Sequence, residues 1–111
     1  MLLLDSYGKS TNIVVRDMNG VEVQPGDLVE VKHCTGRYGQ TQTVRGTFVK
    51  ATCFGVYLTF DRPYTDFNGR YGSYTYEAGS EVQFAISHKN GTFFHEHKDF
   101  EHGHTTHMKK L

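Results

Sequence analysis

Apolar and polar residues alternate along most of this chain with the two-residue period of strands that bury one face. The cleanest run is Phe54 to Phe60, where Phe54, Val56, Leu58 and Phe60 fall on one side, and it is expected to form a central strand. Val29 and Val31 alternate with Glu30 and Lys32 across Leu28 to His33, and Val82, Phe84 and Ile86 repeat the pattern. Thr41 to Ala51 carries Val44, Phe48 and Val49, with Gly46 expected to mark a bulge or bend. The β-branched run Ile13-Val14-Val15 is answered by Val21-Glu22-Val23, and Thr92-Phe93-Phe94 begins a return strand after Ile86. No stretch shows a helical period.

Turn chemistry separates these runs. Asn19-Gly20, Asn68-Gly69 and Asn90-Gly91 tolerate positive φ, which suits the tight turns whose twist matches two antiparallel strands. Gln24-Pro25-Gly26-Asp27 fits a type II turn, with proline fixing φ and glycine taking the reversed conformation. The fold class expected is all-β: a single small antiparallel β-barrel or compact sandwich of six to eight short strands, because an open sheet of that size exposes long edges. Residues 1–94 are expected to form this domain. The polar, histidine-rich residues 95–111 are expected to form a solvated C-terminal tail.

The segment Pro25-Gly26-Asp27-Leu28-Val29-Glu30-Val31 resembles the entry to the first strand of SH3-like barrels, including KOW-type domains. The resemblance covers residues 24 to 60. It implies an SH3-like core and a binding module, since members of that family mostly bind RNA or protein.

Charge narrows the partners. Twelve basic and twelve acidic residues cancel, so no overall field draws the chain to nucleic acid or an anionic membrane. Only residues 37 to 76 are mildly basic, with five basic against two acidic side chains, and they hold ten of the fifteen aromatics. Cys34 and Cys53 are too few for a secreted disulfide scaffold, and the first residues lack the pattern of a signal peptide. A cytoplasmic location is expected. Asn90-Gly91-Thr92 satisfies a glycosylation sequon but reads better as a turn.

The richest candidate surface is Asp61 to Tyr76, read as a loop with five aromatics and two arginines. Aromatic faces stack on bases or sugars, and arginine engages phosphate or carboxylate. Arg62, Tyr64, Phe67, Arg70, Tyr71 and Tyr74 are the candidate partner-binding residues, joined by Arg37 and Tyr38 from the loop Thr35 to Gln40. A protein partner is favoured, because tyrosine and arginine dominate protein interfaces and the basic excess is small for phosphate contacts. Single-stranded nucleic acid is the alternative, and no membrane contact is expected. The competing structural reading has Tyr64 and Phe67 pinning the loop while Tyr74 and Tyr76 cover the core edge.

Five of the seven histidines fall in the C-terminal region. In extended chain His95 and His97 point one way, as do His102 and His104, so these four are candidate ligands for a divalent metal such as zinc, Zn2+. The favoured expectation is nevertheless a cofactor-free tail, since there is no His-Glu-x-x-His motif and Gly103 breaks the register. Gly8-Lys9-Ser10 imitates the end of a phosphate-binding loop, but Leu3 stands where its first glycine belongs. His33 and Cys34 are adjacent in a strand and therefore face opposite sides, which argues against an activated thiol. No nucleophile elbow or marked carboxylate pair is present. The expected function is a non-enzymatic binding module, of the accessory or inhibitory kind that phages and mobile elements encode.

Overall fold

A computed structural model describes residues 1–34, 41–69, 72–97 and 104–111. The described residues are all-β, as the alternation predicts, and contain no helix. The strands are β1 (Leu2–Leu4), β2 (Ser10–Val14), β3 (Leu28–Cys34), β4 (Thr41–Thr52), β5 (Gly55–Thr59), β6 (Tyr64–Gly69), β7 (Gly72–Tyr76), β8 (Val82–Phe84), β9 (Phe94–His97) and β10 (His104–Lys110). Eight of them make one sheet, ordered β2-β1-β4-β3-β10-β9 with β5 and β8 branching from β4, and β6 and β7 form a second, two-stranded sheet.

The expected barrel does not close. The reason lies in β4, which serves three partners: Thr41 to Thr47 pairs with β3, Thr47 to Thr52 pairs with β5, and Thr52 also lies opposite Leu4 of β1. The sheet branches at this long strand instead of curling onto itself. Its register slips between Phe48 and Lys50, so the irregularity expected at Gly46 falls a few residues later. Gly46 has a different task. A Cβ there would stand 2.9 Å from the Phe60 ring and 3.0 Å from the Thr59 carbonyl, so glycine lets that ring pack over the strand.

One core holds the large sheet together. Val29 and Val31 from β3, Phe48 and Ala51 from β4, Val56 and Leu58 from β5, Val82 and Phe84 from β8, and Phe93 before β9 are all buried. The strand expected from Phe54 starts one residue later: Phe54 sits in the turn before β5 and is 59% exposed. The central position expected for this strand is observed, since β5 pairs with both β4 and β8. Asn90 and Gly91 have φ of 52° and 88° and make the tight turn, closed by reciprocal hydrogen bonds between Lys89 and Thr92. Gly8 turns β1 back onto β2, and the Asp5 carboxylate accepts from the Tyr7 and Lys9 amides, so this segment is a hairpin and not a phosphate loop.

The C-terminal tail is the largest correction. Residues 94–97 and 104–110 are strands of the main sheet: β10 pairs with β3 on one side and β9 on the other. Met108, opposite Val31, is fully buried, which repays the ordering of an otherwise polar segment. Asp17 secures the same strand. Its side chain is 1% exposed, one carboxylate oxygen accepts from the Asn19 and Val21 amides at 2.9 Å, and the other accepts from the Lys110 amide at 2.9 Å. The Met18 amide also donates to the Met108 carbonyl at 2.8 Å. The turn after β2 and the end of β10 are thereby stapled together.

Replacing Asp17 by alanine leaves three part-buried amides without their acceptor and should lower unfolding free energy by about 3 kcal/mol. Asp17→Asn, which keeps one accepting oxygen, should lose less. Urea denaturation followed by circular dichroism reads both, and equal losses would show that the oxygen asparagine keeps, facing the Asn19 and Val21 amides, contributes nothing.

Candidate metal centre

Strand alternation brings the chemistry of β3 to its end. Val29, Val31 and His33 are buried, and Cys34 is half-buried. The His33 ring stands edge-on to Phe84, with centroids 4.8 Å apart, and its Nε2 has no hydrogen-bond partner among the described residues. Burial pushes the His33 pKa down, favouring the neutral ring. Cys34 has a different environment. Its Sγ lies 3.0 Å from the Nε2 of His104 on β10.

The β9–β10 register sets His97 opposite His104 and His95 opposite Thr106. The His97 and His104 rings stack with centroids 4.4 Å apart and planes 11° apart, and His95 stands edge-on to His97 at 4.4 Å. Thr106 Oγ1 lies 3.2 Å from His97 Nε2 and helps to orient that ring. The result is a cluster of one sulfur and two imidazole nitrogens, from Cys34, His97 and His104, whose donor atoms all lie within 4.8 Å of one another. Three different strands contribute one donor each.

That spacing is close to what a four-coordinate transition ion needs. Bonds of about 2.0–2.3 Å place tetrahedral donors roughly 3.3–3.8 Å apart, so small side-chain rotations suffice. Burial raises the Cys34 pKa and keeps the thiol neutral when no cation is near. A bound cation reverses that preference by stabilising the thiolate.

The ligand set differs from the one the sequence suggests. His97 and His104 are brought together, whereas His95 lies outside the three-atom cluster and His102 lies outside the described residues. Cys34, whose place beside His33 in sequence argues against an activated thiol, is the added donor. No local signal identifies it, because Cys34 and His104 are neighbours only through the pairing of β3 with β10.

The tyrosine-rich segment is a hairpin and not a loop. Tyr64 and Tyr76 are cross-strand partners at its base, and Asp66 is opposite Tyr74 further out. Tyr64 belongs to the core edge: its ring stacks on Phe60 at 4.7 Å and meets Phe84 edge-on at 5.7 Å. Its hydroxyl is buried without a hydrogen-bond partner among the described residues, and burial pushes its pKa up. Tyr74, in contrast, is 65% exposed, and its ring stands edge-on to Tyr76 at 4.7 Å. Arg62 is exposed just before the hairpin. Arg37, Tyr38, Arg70 and Tyr71 lie outside the described residues, as does the side chain of Phe67.

Comparison with protein-family models, with curated proteins and with solved structures finds no match. Among the described residues no helix is long and apolar enough to cross a membrane.

Proposed function

We propose that this chain is a small metal-binding module in which Cys34, His97 and His104 hold a divalent transition ion, with zinc the best match. The observation that carries the reading is the convergence of three donor atoms, from three strands, within 4.8 Å. A thiolate with two imidazoles is a poor site for magnesium or calcium, which take oxygen ligands, and a good one for zinc. A fourth donor, from water or from the chain, completes the tetrahedron. Two free cysteines fit a reducing compartment such as the cytoplasm, where the thiol stays available to the ion.

Calorimetric titration of the reduced protein should show one zinc per chain. Cys34→Ser and His104→Ala should each weaken binding more than about 100-fold, beyond the usual cost of losing an outer-shell partner. His95→Ala should change little. Absence of zinc uptake, or a loss at His95 as large as at Cys34, would refute this ligand set.

A second reading is favoured by Tyr74. The hairpin base is packed through Tyr64 against Phe60 and Phe84, which lowers the ordering cost of presenting the exposed ring on binding. This suits capture of a protein partner, and the SH3-like entry turn into β3 supports a binding-module architecture. With a purified partner, Tyr74→Ala should weaken capture at least about tenfold, the lower range for an aromatic anchor, without shifting the unfolding curve. Undiminished capture would place the contact elsewhere.

A further inference from the structure

We infer that the ion is a latch: it fastens the β9–β10 hairpin to the end of β3, so that the order of this hairpin follows metal loading. The inference rests on the metal reading and adds to it what the ion does for the fold.

The paired residues of β3 and β10 run from Val29 opposite Lys110 to Lys32 opposite His107. Cys34 and His104 lie beyond the last of these pairs. The two ends of β10 are therefore held very differently. At the Lys110 end, Asp17 accepts the backbone amide and Met108 is buried in the core. At the His104 end, His104, Thr105 and His107 are half-buried, and the buried side chain among them, Thr106, is polar.

β9 adds little apolar anchoring there. It is four residues long, stands at the end of the sheet order and pairs with β10. Phe94 is half-buried, and His95 and Glu96 are exposed. Short outer strands with little buried apolar surface open locally at low free-energy cost. Two of the three donors lie on this hairpin and the third lies on β3, which is buried in the sheet by its partners on both sides. An ion bound to all three is lost whenever the hairpin lifts away. By linkage, it suppresses that opening by the factor 1 + [Zn2+]/Kd.

Hydrogen exchange on the full, reduced chain tests this with zinc as the probe. In metal-free protein the amides of Phe94–His97 and His104–His107 should exchange faster than the paired amides of β4 and β5. Free zinc at about 100 times its dissociation constant should slow them about 100-fold, or to the β4–β5 rate if that is reached first. Cys34→Ser should leave them fast in the same zinc. If zinc binds and the hairpin amides keep their fast exchange, or if they already match β4–β5 without metal, the latch is refuted while the metal site stands. A chain that takes up no zinc overturns the metal reading itself, and the latch with it.

Discussion

The antiparallel pairing of β10 with β3 is the contact on which the rest of this molecule depends. It joins Val31 to Met108 and Lys32 to His107 across most of the chain's length, and with one alignment it places three unlike things. Met108 enters the core, the Lys110 amide reaches the Asp17 carboxylate, and His104 comes beside Cys34. A one-residue slip would turn Met108 outward and carry His104 away from the thiol, because side chains alternate faces along a strand.

Two kinds of force fix that alignment. Burial of Met108 is non-directional and selects the face, whereas the Asp17 hydrogen bonds are directional and select the position along the strand. A buried carboxylate is costly unless its oxygens are satisfied, and here backbone amides from two separate parts of the chain satisfy them. The same carboxylate shapes the turn at Asn19-Gly20, so a local turn and a long-range register share one residue. The cluster of Cys34, His97 and His104 is thus a consequence of register, with β9 adding its histidine by pairing to β10.

The local parts of this fold are legible in the sequence. Val29, Val31, Val56, Leu58, Val82 and Phe84 are inward where alternation puts them, and Asn90-Gly91 turns as its composition demands. What is not legible depends on distant partners. The segment from His104 to Lys110 has one large apolar residue among polar ones, so its burial is invisible until β3 lies beside it. Phe54 continues a perfect alternation yet falls in a turn, because Gly55, at φ 140° and tight against the Phe84 carbonyl, starts the strand instead. Tyr64 and Tyr74 are alike in sequence and opposite in environment, since only the first meets Phe60 and Phe84. The metal ligands divide in the same way: the strand period pairs histidines on the C-terminal segment, but only tertiary pairing supplies the sulfur.

X-ray absorption spectroscopy at the zinc edge of the loaded protein reads the donor atoms themselves. One sulfur at about 2.3 Å with two imidazole nitrogens at about 2.0 Å is the expected inner shell. A shell of oxygen and nitrogen without sulfur would show that Cys34 is not a ligand and would contradict the account.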